Sequence, residues 1–597
     1  MLSIYQRLWQ MIRYARRLYC VDTLLWLGII GLPIVPGLLI QQFFNGLTEQ
    51  TRESPWVWIG LLLAIGTARV VVIFLGRITK TQHRFLMSGL VRHNLLLGLL
   101  NRPGAELAAG RASGQKTSPG ELLSYFRDDA LHIENTVVYT NEIFAETVFA
   151  LVSMGLLLSV NARMTLLVFL PLCAIALLVH RAEHRLKRYR RTSRQATQQV
   201  TGLMGELFTA VQAVKVAGAE AAMLNELEQR CDRRRQFKVR EQVFNALLGA
   251  SFETIVNLGT GLILLMAAQN LGESLTVGDF ALFVYYLAFV TYFFAFLGGF
   301  FAIVQQSEVS FERMDELVNH PITQPSPLYL KPILGPQSPL PLPTPPLTVQ
   351  PLHTLQLKGL TYHYPEGNSQ RDTGITNISI TLTRGSLTVI TGPVGAGKTT
   401  LLRVLLGLLP RQSGKIIWND QEVHDPANFL VPPHAAYTPQ IPQLFSTSLR
   451  ENLLLGMPDI SLEQSLETQL NQALSIAAFA PDLATMPQGL ETPIGTRGLR
   501  LSGGQKQRLA AARMLLRQPE LLIFDDLSSA LDVETEQRLW EGLLKKQPLK
   551  TAKSAATYLT VSHRPAVLQR ADQIIVLKAG QVLFSGTPDE FFTRQSS

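Results

Sequence analysis

Six stretches of the chain, at about residues 22–43, 56–77, 142–160, 164–181, 244–269 and 280–304, are apolar over lengths that match the hydrocarbon thickness of a bilayer. Nothing else in the sequence limits the fold as strongly. The connections after the first, third and fifth stretches (Asn45 to Pro55, Asn161 to Arg163, Asn270 to Gly278) are short and nearly free of cations. Those after the second and fourth are long and basic, with Arg77, Lys80, Arg84 and Arg92 in one and Arg181, Arg185, Lys187, Arg188, Arg190, Arg191 and Arg194 in the other. Cationic connections stay on the cytoplasmic side, so six spans with both termini inside are expected. The net charge of +9 over 597 residues then belongs to loops that flank a membrane, and no nucleic-acid partner is needed to explain it. Cys20, Cys173 and Cys231 are too widely spaced for a disulfide framework or a zinc site.

Residues 1–20 place Arg7, Arg13, Arg16 and Arg17 among Tyr5, Leu8, Trp9, Ile12 and Tyr14, which predicts an interfacial amphipathic helix. The apolar stretch that follows is too long for the core of a signal peptide and reads as a retained first span. Residues 21–320 form the six-span domain. Its long inner connections keep helical periodicity: Leu95 to Leu100, then Leu122 to Phe126 after Ser118-Pro119-Gly120-Glu121, and Leu203, Met204, Leu207, Val211 and Val214 in the second. They predict helices that extend past the bilayer and turn back at a short exposed helix. Charges inside spans are costly. Counting from the outer ends puts Arg69 and Glu146 roughly 20 Å down, with Glu253 slightly deeper, as one polar layer. That layer is either an Arg–Glu pair fixing helix packing or a substrate contact, and two carboxylates against one guanidinium would suit a cationic or amphipathic cargo. Residues 321–351, with Pro339-Leu340-Pro341-Leu342-Pro343 and Pro345-Pro346, read as a semi-extended linker.

Residues 352–597 alternate strand and helix patterns. Strands are predicted at Thr354 to Leu360, Ile378 to Leu382, Leu387 to Ile390, Lys415 to Trp418, Leu521 to Phe524, Tyr558 to Val561 and Ile574 to Leu577, which implies helices packed on a mostly parallel sheet. After the third comes Thr391-Gly392-Pro393-Val394-Gly395-Ala396-Gly397-Lys398-Thr399-Thr400, followed by a helical pattern. This is a P-loop in its proper setting. Glycines let backbone N–H groups curl around a triphosphate, Lys398 reaches the β/γ-phosphates, and Thr399 offers a hydroxyl to Mg²⁺.

Six elements of this half, in order, resemble the set that defines the ATP-binding cassette (ABC) family. They are Tyr364-Pro365, the P-loop, Gln440 in Tyr437-Thr438-Pro439-Gln440, Leu501-Ser502-Gly503-Gly504-Gln505, Leu521 to Asp525-Asp526, and His563 in Val561-Ser562-His563-Arg564. Ser529-Ala530-Leu531-Asp532 stands between the last two, and Gly120-Glu121-Leu122 and Val214 to Glu220 are similar to the family's intracellular-loop sequences. With the spans, the whole chain resembles an exporter-like half-transporter, a membrane α-helical bundle with long cytoplasmic extensions fused to an α/β P-loop ATPase domain. The resemblance implies that Tyr364 stacks on adenine, and that Asp525, with Thr399 and Gln440, holds Mg²⁺. It further implies that His563 contacts the γ-phosphate, and that Leu501 to Gln505 and Asp532 serve ATP bound by a second subunit.

Two positions depart from the pattern. Asp526 stands where most active members carry the Glu that polarises water, and Thr496, in Thr492 to Gly498, stands where Glu is usual. A base one methylene short implies slow hydrolysis, since 1 Å of misplacement can cost about 10²-fold. A homodimer with two slow sites and a heterodimer whose partner carries the Glu are both open, with the homodimer slightly favoured. The expected function is ATP-driven export or flipping of a small molecule, lipid or peptide across a plasma membrane, of which the bacterial inner membrane is the expected case. An ATP-gated channel or regulator and an importer on the same scaffold are the rivals. The sequence does not name the cargo.

Overall fold

The computed structural model describes residues 4–48, 54–100, 102, 104, 119–270, 275–318, 351–364, 374–457, 464–527, 530–545 and 556–596; at some helical positions, Glu253 and Cys173 among them, only the backbone is described. The linker expected at 321–351 and Pro365 thus lie outside the described residues, apart from Pro351. The chain divides into two compact units, Met1–Leu99 with Leu122–Ile333, and Leu100–Glu121 with Leu334–Ser597.

In the first unit every predicted span is carried by helix. The first is carried by Arg16–Gly31 and Ile34–Thr48, separated at Leu32 and Pro33, where proline removes a backbone donor. Pro55–Leu100 carries the second. The third and fourth share Ala130–Thr209, which is two helices meeting at Asn161, a residue with extended dihedrals (φ −154°, ψ 96°). The corner is tied: Met164 N donates to Asn161 Oδ1 at 3.0 Å, and buried Thr165 donates across it to the Leu157 carbonyl at 2.9 Å. Glu220–Asn270 and Val277–Leu317 carry the fifth and sixth, the latter started by a capping box between Thr276 and Asp279. Three described stretches, Arg16–Thr48, Pro55–Leu100 and Leu122–Leu166, are long and apolar enough to cross a membrane.

The short inner helix expected from the sequence is Val211–Ala217. It ends on Gly218 in the left-handed region (φ 59°), buries none of its residues and leaves Val216 91% exposed. At the N-terminus the amphipathic helix spans Ile4–Tyr14 and packs Ile4, Leu8 and Met11 inward. Arg7 turns in with them. Its guanidinium pairs with buried Asp315 at 3.0 Å and lies over the Phe311 ring. A second polar knot ties three helices: fully buried Asp22 accepts from Asn141 Nδ2 at 2.7 Å and from Thr79 Oγ1 at 3.0 Å.

The second unit contains two sheets. β3 (Leu387–Thr391), β6 (Ala435–Thr438), β7 (Leu521–Asp525), β8 (Thr557–Val561) and β9 (Gln573–Lys578) are parallel, with antiparallel β10 (Gln581–Gly586) at one edge, in the order β10-β9-β3-β8-β7-β6. β1 (Thr354–His363), β2 (Gly374–Thr383), β4 (Ser413–Trp418) and β5 (Gln421–Glu422) form an antiparallel sheet, β2-β1-β4-β5. β3 and β7 are buried at every residue, as strands covered on both faces must be. One core lies where β1, β2 and β4 and the Lys398–Leu405 helix meet the parallel sheet, and the other packs helices Gln464–Ile476, Gly503–Leu516 and Val533–Lys545 against it. Chain direction therefore brings the carboxyl ends of β3, β7 and β8 to one edge. In parallel α/β sheets that edge holds the ligand.

Candidate functional site

The P-loop leaves β3 at Thr391 and enters the Lys398–Leu405 helix through Gly392 (φ 135°), Gly395 (φ 82°) and Gly397 (φ 95°). At Gly392 a side chain would strike the Leu577 carbonyl of neighbouring β9. Only glycine meets both demands. Pro393, Val394 and Gly395 form the exposed tip, while Ala396 is buried beneath it. Lys398 Nζ donates to the carbonyls of Gly392 and Pro393, at 2.7 and 2.9 Å, which sets its ammonium over the mouth of the loop. Partial burial lowers the pKa of Lys398 from its ordinary value. A polyphosphate would supply the negative charge that restores it.

The ends of β7 and β8 complete the site. Thr399 Oγ1 donates to Asp525 Oδ1 at 3.2 Å, and Tyr437 OH donates to Asp525 Oδ2 at 3.4 Å. Burial raises the pKa of Asp525, against the opposing pull of the Thr399 hydrogen bond and the nearby Arg403 charge. Asp526 follows in the left-handed region (φ 55°), its N–H held by the Val561 carbonyl at 3.1 Å and its carboxylate reached by Gln440 Nε2 at 3.4 Å. His563 Nδ1 lies 3.2 Å from Thr391 Oγ1, and burial followed by the nearby Lys398 charge lowers its pKa. Tyr364 OH is 3.3 Å from Thr400 Oγ1, which anchors that ring beside the P-loop helix. The sequence-selected groups are thus brought together around one loop.

The signature segment is built differently. Ser502 caps the Gly503–Leu516 helix: its hydroxyl accepts from Gln505 N at 3.2 Å, and its own N–H donates to Gln505 Oε1 at 2.8 Å. Ser502 and Gly503 are exposed, and Leu501 and Gly504 are buried. An alanine Cβ at Gly504 would lie 2.9 Å from the Ala530 carbonyl oxygen. Asp532 caps the following helix, accepting from Thr535 N at 2.9 Å. Gln507 is a connecting residue that motif reading missed. It donates to the Gln440 carbonyl at 3.2 Å and accepts from Ala530 N at 3.3 Å, joining three segments. Nothing in its local sequence distinguishes it from any other helical glutamine.

In the helical unit, Arg69 and Glu146 line one cavity of about 500 Å³, together with Trp26, Phe289 and Tyr292. They stand at different heights: Lys80 and Glu142 pair across the two antiparallel helices, and from that level Arg69 is eleven residues away along one helix and Glu146 four along the other, a difference of roughly 10 Å. Arg77 and Lys80, expected in an inner connection, line the cavity too, and Lys80 pairs with Glu142. Glu253's side chain is not described.

Two family models match the sequence, the ABC transporter transmembrane region over residues 24–295 and the ABC transporter domain over residues 375–529. Among relatives, a probable multidrug resistance ABC transporter ATP-binding/permease protein, YheI of Bacillus subtilis, is 26% identical across 96% of this chain and 92% of its own. An ATP-dependent lipid A-core flippase of Burkholderia orbicola is 28% identical across 73% of this chain and 68% of its own. The fold superposes on a bacterial Atm1-family ABC exporter with ATP bound, with a TM-score of 0.77 and 21% identity across 96% of this chain and 97% of that one. A phosphate-cradling loop, a capped signature helix and an apolar helical bundle on one polypeptide agree with both models and with these relatives: the chain belongs to the ABC transporters, with the transmembrane region and ATP-binding domain of an exporter-type half-transporter in one chain.

Proposed function

We propose that two half-transporters clamp two ATP molecules, each between the P-loop of one chain and the signature helix of the other, and that this clamping drives export or flipping of a small molecule, lipid or peptide. One observation carries the reading. A single chain presents two complementary half-sites outward, a P-loop tip with Val394 fully exposed and the N-terminus of the helix capped by Ser502. A helix N-terminus offers N–H donors and a partial positive charge, which suits phosphate from a partner's nucleotide.

Within each composite site the roles follow from the contacts. Lys398 and the P-loop N–H groups bind the triphosphate, and Tyr364 sits where an adenine ring can stack. Thr399 and Asp525 are adjacent hard oxygen donors. They fit Mg²⁺, which takes its other ligands from phosphate and water, and no cluster of three or more protein carboxylates, cysteines or histidines is needed or found among the described residues. When bound, Mg²⁺ neutralises charge on the phosphates. Asp526, steadied by Gln440, accepts a proton from the water that attacks the γ-phosphorus, and ADP leaves. His563, two residues beyond the end of β8 and held by Thr391, donates toward the γ-phosphate.

The chain acts as a homodimer in a plasma membrane, with the ATP-binding domain and both termini cytoplasmic. Purified chain reconstituted alone tests this. Turnover that rises with the square of chain density at low density, and stops in Lys398→Ala, supports it. Turnover that appears only when a second half-transporter is added overturns the homodimer.

A further inference from the structure

The cavity in the helical unit is a small polar chamber with an aromatic wall, and its charges are not all spent on one another. At its inner end Lys80 pairs with Glu142 and sits 4.9 and 5.1 Å from the ring centres of Trp26 and Tyr139. That pair is satisfied. One turn further out on the same helix is Glu146, only 9% exposed, with neither a hydrogen bond nor an ion pair among the described residues. Tyr292 stands within reach of its charge. Further out, Arg69 lines the same chamber near Tyr285, with a buried Nε that has no hydrogen-bond partner among the described residues. Isolated buried charges are costly unless something pairs with them. Here a buried carboxylate and a part-buried guanidinium stand apart: outward from the Lys80–Glu142 pair, Arg69 is eleven residues along its helix and Glu146 four along its own, a difference of roughly 10 Å, and Phe289, Ile30 and Pro33 make the wall of the chamber apolar.

We propose that this chamber is the cargo site and that it selects an elongated amphipathic zwitterion, whose cationic group meets Glu146 and Tyr292 and whose anionic group meets Arg69. The assignment deepens the exporter reading and rests on it for the word cargo, although the binding site itself does not. Lone organic cations leave Arg69 unmet, and lone anions leave Glu146 unmet. A short zwitterion reaches one charge but not both. An apolar body about 10 Å long satisfies both ends and covers the aromatic wall, adding cation–π attraction at Tyr292.

The test uses the full chain in nanodiscs and a radiolabelled series of straight-chain ω-amino acids, with the alkylamine and alkanoate of matching length. The eight-carbon ω-amino acid, whose charges are separated by about 10 Å when extended, is expected to bind at least about tenfold more tightly than the four-carbon one and than either singly charged analogue. Glu146→Gln should bring the zwitterion down to the affinity of the alkanoate, and Arg69→Gln down to that of the alkylamine. Each variant should still bind its remaining singly charged probe, which a misfolded protein would not. Equal affinity of the wild-type chain for the zwitterion and the singly charged analogues overturns the proposal by itself, as does an unchanged ranking in both variants. ATP-dependent accumulation of the bound probe in inside-out vesicles is read separately. Binding with the expected ranking but without accumulation would retain the site and refute export.

Discussion

Replacing Asp526 with Glu separates two consequences of one backbone position. The residue sits at φ 55°, its N–H fixed by the Val561 carbonyl at 3.1 Å, immediately after a strand that is buried throughout. Its Cα therefore has little freedom to advance toward a phosphate, and reach has to come from the side chain. One methylene adds about 1.5 Å. If the shorter acid misplaces the water by about 1 Å, restoring Glu raises kcat by up to 10²-fold, about 2.7 kcal/mol of barrier. The same change carries a cost elsewhere, because Asp tolerates the left-handed region better than longer side chains, and the strain is on the order of 1 kcal/mol. Asp526→Glu should thus hydrolyse ATP faster while its ATP-binding domain melts a few degrees lower. Phosphate release by reconstituted protein at saturating ATP, beside calorimetry, reads both quantities. A kcat that falls, or stays within twofold of the parent, would refute the idea that reach limits this site. Asp526→Asn, which keeps size and removes the base, should lose turnover and keep ATP affinity.

Gly504→Ala brings a methyl group within 2.9 Å of the Ala530 carbonyl and 3.0 Å of Leu531 Cδ2, so the segment leading to Asp532 must shift. About 1–3 kcal/mol of overpacking is expected, with ATPase falling more than ATP affinity measured by nucleotide titration. Arg7→Ala leaves Asp315 buried without its cation and should destabilise the helical unit by about 3–5 kcal/mol, read as a loss of thermal stability in detergent; Arg7→Met with Asp315→Leu should recover most of it. His434 stacks on Phe429 at 4.3 Å, and burial lowers its pKa below the ordinary histidine value. The unfolded chain then takes up the proton first, so its contribution to stability is present above about pH 6.5 and is lost as pH falls below it, with a slope of at most about 1.4 kcal/mol per pH unit. His434→Phe should flatten that acid limb in pH-dependent unfolding of the ATP-binding domain.

The edge that carries the candidate site was legible because each of its parts is a short contiguous motif with particular residues: glycines at positive φ, a lysine over the loop, a carboxylate ending an apolar strand. β6 is different. Ala435-Ala436-Tyr437-Thr438 contains one β-branched residue and is a strand only because it completes the parallel sheet beside β7. The separate antiparallel sheet was likewise hidden, since alternation marks a strand but not its partner. Gln507 joins three segments through contacts across 67 and 23 residues, which no local pattern encodes. In the helical half, hydropathy located the spans but not their vertical alignment. Apolar character fades near residue 77, whereas the helix runs on to Leu100, so Arg77 and Lys80 read as loop cations until the Lys80–Glu142 pair fixes the depth of both helices. That register is what turns a supposed single layer of charge into a chamber with two ends.

The tied corner at Asn161 has a mechanical implication. A turn made by one non-helical residue and bridged by the Thr165 hydroxyl contains no slack, so these two helices cannot part at the corner by paying out chain. They must swing together, like the arms of tweezers joined at the head, and any displacement there is largest at the ends farthest from the joint. Adding three or four glycines after Asn161 would cut that linkage without altering the ATP-binding domain, leaving a protein that hydrolyses ATP while the two helix ends beside the joint no longer move together.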